Sequence, residues 1–142
     1  MESENLKVNI VDVLLFLIIA ASTSIQGQYF PDLTVAFLIF YSLKYSKIQF
    51  SLYSFLAGIL HDGFQAGRIW ITPFLFPLVY LGTQYLKSNI NLKFPPLRAS
   101  FIVISTVFIS IALIIINSIP LQQGLVKFSL TIIAGIILGF LI

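Results

Sequence analysis

The sequence AGILHDGFQAGR, residues 57–68, contains the only histidine of the chain, an aspartate, an arginine and three of the eight glycines. Apolar residues dominate on both sides of it, over residues 50–60 and 69–86. A charged side chain at the centre of a bilayer costs about 2.5 kcal/mol or more. Asp62 is therefore predicted either to lie at a membrane interface or to have a specific role. The glycines allow sharp turns and close packing around it.

Composition indicates an integral membrane protein. The 142 residues are 58% hydrophobic and 9% charged, whereas a soluble domain carries about a quarter charged residues. The mean hydropathy is +1.02. The apolar runs are continuous, which favours helices over the alternating segments of a barrel. Because the sequence has no cysteine, disulfides, thiolate metal sites and cysteine nucleophiles are excluded.

The hydropathy pattern predicts an all-α bundle of about six transmembrane helices in a single domain, residues 1–142. The first span is predicted to be a retained helix and not a signal peptide, because Glu2 and Glu4 accompany Lys7 before it. The second and third spans are short for a bilayer, so a re-entrant hairpin is the alternative there. The predicted spans cover residues 8–25, 31–44, 48–62, 69–86, 97–119 and 121–142.

The distribution of basic residues predicts the orientation. With the N-terminus inside, six lysines and arginines lie on inner segments and two on outer segments, a bias typical of the cytoplasmic side. The sequence therefore predicts a multi-pass membrane protein with both termini in the cytoplasm. The inner residues are Lys7, Lys44, Lys47, Lys87, Lys93 and Arg98, and the outer ones are Arg68 and Lys127.

The same orientation brings a second polar segment to the outer side. Pro31 and Asp32 follow the first span, where proline suits the first position of a helix and an acidic residue suits its positive end. Spans two and three are antiparallel, so Asp32 and Asp62 are expected at the same depth, close to His61 and Arg68. This grouping predicts a small polar cluster at the outer interface.

Each member of the cluster has a structural and a functional interpretation. Asp62 either pairs with Arg68 as an interfacial helix-end residue, or it orders the turn of residues 63–67 for a partner. Asp32 is interpreted mainly as a residue that stabilises its own helix end. His61 is predicted to be a solvated interfacial side chain, and a metal ligand is the alternative.

The remaining small residues are assigned to helix packing. Gly135 and Gly139 form a Gly-xxx-Gly face in the last span, which packs internally or forms a homodimer. Ser54 and Gly58 form a similar small-xxx-small pair. The sequence predicts that the spans lack the buried charges that an ion or proton path requires. No nucleophile, phosphate loop or metal-ligand spacing is recognisable, so no catalysis, cofactor or bound metal is expected.

The polar motifs resemble those of one known family. The Pro31-Asp32-Leu33 start of span two, the AGILHD sequence of residues 57–62 and the later Gly67 resemble the rod shape-determining protein MreD family. The resemblance extends over the whole chain in length and span number. Its matching positions are Pro31, Asp32, Gly58, Asp62 and Gly67. His61 departs from the pattern, because an apolar residue is more usual there.

The resemblance implies a non-catalytic scaffold of the bacterial cell-elongation (rod) complex that regulates cell shape and lateral peptidoglycan synthesis. The implied partners are an MreC-like single-span membrane protein, the MreB-type filament, peptidoglycan synthases and the lipid bilayer. Arg68 is added as a candidate motif residue from its place beside Asp62. No nucleic-acid partner is expected.

A second membrane family is the alternative. The arrangement is also similar to the substrate-binding membrane subunits of energy-coupling-factor vitamin transporters, which dock through small residues of their first helix. Ala20, Ala21 and Ser24 would supply those residues here. A substrate pocket would draw on polar and aromatic groups beneath the outer loops. The candidates for that pocket are Tyr29, Asp62, Gln65, Arg68 and Trp70.

Overall fold

The computed structural model describes residues 8–26, 33–46, 48–63, 70–116 and 121–141. These residues form six α-helices and no strand, which confirms the all-α prediction. The helix ends differ from the predicted spans by three residues or fewer. The helices are α1 (Ile10–Gln26), α2 (Leu33–Lys44), α3 (Gln49–Gly63), α4 (Thr72–Asn89), α5 (Pro95–Ile116) and α6 (Leu121–Leu141).

Prolines account for two of the helix starts. Pro73 occupies the first turn of α4, and α5 begins directly at Pro95. Proline suits these positions because its missing N–H would have no partner within the helix there. Helix α5 starts two residues before the predicted fifth span, because the proline pair forms the first turn of α5 and does not belong to the loop that precedes it.

The shortest helix, α2, is the centre of the bundle. It contacts each of the other five helices, whereas α5 and α6, within the described residues, contact only each other and α2. Eight of its twelve residues are buried. Twelve residues span about 18 Å, well short of a bilayer core of about 30 Å. Because other helices surround α2, protein covers most of its side chains.

An aromatic cluster joins α1, α2, α3 and α4 near one end of the bundle. Phe50 of α3 lies at its centre and is fully buried. Its ring centroid is 5.7 Å from that of Phe16, 5.8 Å from Tyr45 and 5.5 Å from Tyr80. Such pairs each contribute about 0.5–1.5 kcal/mol beyond their buried area. The cluster fixes the start of α3 against the end of α2.

Apolar side chains cover the outside of the bundle. The exposed large apolar residues come from α1, α3, α4, α5 and α6 and from the connecting segments, and none comes from α2. One described helix, Pro95–Ile116, is long and apolar enough to cross a membrane by length and composition. Three further apolar stretches are shorter, Ile10–Thr23, Leu33–Lys44 and Ser129–Leu138.

The α5–α6 pair packs closely at one glycine. A side chain at Gly135 would lie 3.6 Å from the Cγ2 atom of Val103 and 3.8 Å from that of Ile102, which is ordinary contact. Gly135 therefore faces α5 within the chain, as internal packing requires. Gly139 also lies in α6.

Candidate functional site

Asp62 connects the end of α3 to the start of α4. Its side chain is buried, with 1% of the residue exposed. The Oδ2 atom accepts a hydrogen bond from the backbone N–H of Thr72 at 3.0 Å. The Oδ1 atom lies 3.0 Å from Nδ1 of His61. Of the two interpretations of Asp62, a solvent-exposed side chain is therefore wrong, and Asp62 is a buried connector between two helices.

Helix electrostatics explain this arrangement. A carboxylate near the C-terminal end of α3 lies at the unfavourable, negative end of that helix. At the N-terminal end of α4 the same carboxylate meets a positive end, where an anion is stabilised. Asp62 belongs to α3 in sequence but serves α4 as a helix cap.

None of the first three residues of α4 has an N–H group without a hydrogen-bond partner. Ile71, which precedes the helix, makes no side-chain cap. Asp62 accepts the N–H of Thr72, Pro73 has no N–H, and the N–H of Phe74 donates to the carbonyl of Ile71 at 3.1 Å. Unsatisfied amides at a buried helix start are costly, so this start depends on Asp62.

Gly58 allows the two helices to approach this closely. A Cβ atom at Gly58 would lie 2.6 Å from the backbone N and Cα atoms of Pro73. The hydroxyl of Thr72 donates to the carbonyl of Gly58 at 2.9 Å. Ser54, one turn earlier, is also buried and donates to the carbonyl of Phe50 at 2.9 Å. The interpretation of Ser54 and Gly58 as a packing pair agrees with these contacts.

His61 is also buried, with 1% exposure, and its ring packs edge-on against Phe76 at 5.4 Å between centroids. The prediction of a solvated histidine is therefore wrong. The physical reason is that α4 starts close to the end of α3 and covers the imidazole. The adjacency of histidine and aspartate on one helix end was the signal in the sequence for this buried pair.

The other predicted motif residues lie outside the described residues. These residues are Pro31, Asp32, Gly67 and Arg68. The predicted cluster of Asp32 and Arg68 with Asp62 therefore stays a prediction. Of the proposed vitamin-site residues, Trp70 is 56% exposed, and Ala20, assigned to docking, is fully buried in the bundle.

A second polar site, at the opposite end of the bundle, was not predicted. Lys44 at the end of α2 forms a 2.6 Å ion pair with the Oδ2 atom of Asp12 in α1. The hydroxyl of Tyr45 donates a short hydrogen bond to the same oxygen. The interpretation that the spans contain no buried charge is wrong at Asp62, and Asp12 is half-buried, with 17% of its side chain exposed.

Tyr45 stays protonated in this site. Burial raises the pKa of its phenol, and the hydrogen bond that it donates to Asp12 raises the pKa further. The backbone N–H of Asn9 approaches the phenol oxygen at 3.3 Å. Tyr45 therefore links the segment before α1 to the end of α2.

Side chains of α4 satisfy the last carbonyl groups of α2 at the same end. Gln84 donates to the carbonyls of Ser42 and Tyr45. Lys87 donates to the carbonyl of Leu43 at 2.8 Å. The end of a helix leaves its last carbonyls without intrahelical partners, and a cation there also meets the negative end of the helix dipole. These contacts allow α2 to end inside the protein.

Tyr45→Phe is expected to lower the free energy of unfolding by about 1–2 kcal/mol, because Asp12 loses a hydrogen bond to a charged acceptor. Thermal unfolding in detergent would measure the change. Tyr85→Phe is the matched control, since Tyr85 is 72% exposed and its hydroxyl loss should leave stability unchanged. Equal effects of the two substitutions would contradict the assigned role of Tyr45.

The described residues contain no group of three or more histidine, cysteine, aspartate or glutamate side chains that could hold a metal ion. The arrangement at Asp62 can position a backbone segment, because one carboxylate joins the two chain ends that flank residues 64–69. It is a structural junction between α3 and α4.

Comparison with known proteins identifies no relative of this chain. No family model matches the chain, no curated protein matches it, and no solved structure matches it. The resemblance to the MreD family therefore stays a prediction that rests on the residues of the motif.

Proposed function

We propose that this chain is a non-catalytic membrane scaffold subunit of the bacterial cell-elongation complex. In this role it binds an MreC-like single-span protein and thereby takes part in the regulation of cell shape and lateral peptidoglycan synthesis. The observation that carries the proposal is the Asp62 junction, which lies within the family-like motif and joins the described residues on either side of residues 64–69.

The surface of the bundle supports a membrane location. Soluble proteins rarely expose large continuous apolar patches. Here exposed apolar residues occur on the five helices that surround α2, and examples reach 75% exposure at Phe108 and 71% at Ile115. We propose that these five helices contact lipid and that α2 is shielded by them, which gives a multi-pass protein of the cytoplasmic membrane.

The buried polar contacts support a rigid, non-catalytic role for the motif. Asp62 and Thr72 are both buried and hydrogen-bonded to each other, and Thr72 also bonds the carbonyl of Gly58. A side chain held in this way is suited to fixing the geometry of a binding segment. We propose that residues 64–69 present the partner-binding surface on the outer side.

Asp62→Asn tests the role of the junction in cells. The variant is expected to accumulate in the membrane at the normal level, because asparagine keeps an acceptor for the Thr72 amide. It is expected to fail to support rod shape and to lose recovery of the partner, because the charged junction between α3 and α4 is gone. Cell shape and co-purification would be measured together, with Glu4→Gln as the matched carboxyl-to-amide control. Normal shape with Asp62→Asn would overturn this role.

Affinity purification from native membranes tests the function itself. A single-span cell-shape protein of the MreC type is the expected partner. Recovery of a transporter coupling subunit with its ATPases, or co-purification of a vitamin, would instead assign the chain to vitamin transport.

Single cysteines test the orientation. A cysteine at Gln65 and one at Asn91 are expected to react from opposite sides of the membrane, with Gln65 outside, because the basic residues favour an inner location for residues 87–98. An impermeant thiol reagent applied to intact cells and to inverted vesicles would measure this. Labelling of both positions from one side would show that the fourth span, which separates them, does not cross the membrane, and would overturn the predicted orientation.

A further inference from the structure

A groove lies on the outside of the bundle between α3 and α4, which we call the α3–α4 groove. The two helices are in direct contact, and the rings of Phe55 and Phe74 meet edge-on between them, with 6.2 Å between centroids. Eight residues line the groove, three from α3 and five from α4. Its volume is about 440 Å³, within the range of about 300–1,000 Å³ that is usual for small-molecule pockets.

The lining residues differ in burial, which defines a floor and two rims. Pro73 is buried, and Ser51 and Pro77 are half-buried, so these three residues form the floor. Leu52 of α3 is 67% exposed and Phe74 of α4 68% exposed, and these side chains form the rims. A serine hydroxymethyl group and a proline ring are too short to fill the space between such rims. The groove therefore follows from the residue types at its floor.

The two ends of the groove differ in polarity. Seven of the eight lining residues are apolar, and Ser51 is the polar one. Ser51 follows Phe50, whose ring stacks 5.8 Å from that of Tyr45, at the end of the bundle that holds the ion pair of α1 and α2. At the other end the backbone of Gly58 approaches that of Pro73 closely. An elongated occupant would therefore place its polar end near Ser51 and its apolar end near Pro73.

The width of the groove indicates the class of occupant. Helices in contact pack with their axes about 8–10 Å apart, so the space between their outer side chains is narrower than a helix, which is about 10–12 Å across. A protein partner also needs an interface of about 20–30 residues on each side, whereas eight residues line this groove. A single flexible alkyl chain meets both limits.

We propose that the α3–α4 groove holds one acyl chain of a membrane phospholipid. The ester end of the chain lies near Ser51, and its methylene groups lie along Pro77 towards Pro73. Surrounding lipid is as apolar as the groove, so the chain is held by van der Waals contacts with a surface of matching shape. The proposal shares with the proposed function the premise that the chain lies in a bilayer, and it needs no protein partner.

The test is photocrosslinking of the purified full chain in detergent. Phosphatidylcholine with a diazirine on one acyl chain is titrated into the sample, and mass spectrometry locates and counts the adducts. Adducts in the groove are expected to saturate at one lipid per chain. Adducts at Phe108 and Ile115, on the exposed face of α5, are expected to rise steadily with the lipid-to-detergent ratio. A steady rise in the groove as well, or no adduct there, would overturn the proposal. A dimer of the chain without groove adducts would assign the groove to a second copy.

Three serine variants separate the space in the groove from its chemistry. Ser51→Leu fills the floor and is expected to lose the saturating adduct. Ser129→Leu, the same change at an exposed position of α6, is expected to keep it. Ser51→Ala leaves the space open and is also expected to keep it. Saturation that persists in Ser51→Leu, or its loss in Ser51→Ala or Ser129→Leu, would overturn the proposal. If Ser51→Leu does not fold, the titration of the wild type decides.

Discussion

Asp62→Ala is expected to lower the free energy of unfolding by about 3 kcal/mol, because the buried Thr72 amide loses its acceptor and the hydrogen bond to a charged group is lost. The imidazole of His61 loses its partner carboxylate at the same time. No water can replace the carboxylate easily, since Asp62 and Thr72 are both buried. Unfolding by a denaturing detergent, followed by the intrinsic fluorescence of Trp70, would measure the change.

Asp62→Asn is the matched comparison for stability. Asparagine retains an oxygen that accepts the Thr72 amide, and its side chain occupies the same space. We expect it to lose about 1 kcal/mol or less, which is why the same variant should accumulate normally in cells. If the asparagine variant is as unstable as the alanine variant, the charge of Asp62 and not its acceptor stabilises the start of α4.

Gly58→Ala is the second substitution with a large expected effect. The added methyl group would lie 2.6 Å from backbone atoms of Pro73 and from the carbonyl carbon of Thr72. Backbone cannot rotate away as a side chain can, so α4 must move. Overpacking of this kind costs about 1–3 kcal/mol, and the displacement would also stretch the hydrogen bond between Thr72 and the carbonyl of Gly58. The melting temperature in detergent should fall.

Gly82→Ala provides the control for that substitution. Gly82 also lies within a helix, and an added methyl group would meet no atom within 4 Å. Alanine favours a helix over glycine by about 1 kcal/mol, so this variant should be equally or more stable than the wild type. Gly58→Ala gains the same propensity, and the difference between the two variants isolates the clash. A melting temperature of Gly58→Ala equal to that of Gly82→Ala would contradict the close approach of α3 and α4.

Much of the fold could be predicted from the sequence because hydropathy is a local property. Continuous apolar runs between turn residues are sufficient to predict six helices, although the predicted start of the fifth, residue 97, lies two residues after the start of α5 at Pro95. The importance of Gly58 and Asp62 was also predictable. A carboxylate is costly in apolar sequence, and a glycine four residues before it on a helix lies on the same face.

The parts that could not be predicted depend on distant residues. Lys44 and Asp12 are 32 positions apart, and their pairing follows only from the way α1 and α2 lie together. In the sequence alone, α2 is short for a membrane span, which left a re-entrant hairpin as the alternative. In the structure, α2 contacts each of the other five helices. Gln84 and Lys87 of α4 also satisfy its last carbonyl groups. Local hydropathy does not reveal which helix becomes the centre.

The central place of α2 has a consequence for biogenesis. The ribosome makes α2 second, yet four of its five neighbours are synthesised after it. Until α4 has emerged, the carbonyls at the end of α2 lack the donors that they have in the finished protein. Until the α5–α6 hairpin has followed, one side of α2 has no cover. A nascent chain that stalls before α5 would therefore present an incompletely enclosed helix to chaperones and quality-control proteases, and assembly is complete only when the last hairpin closes over it.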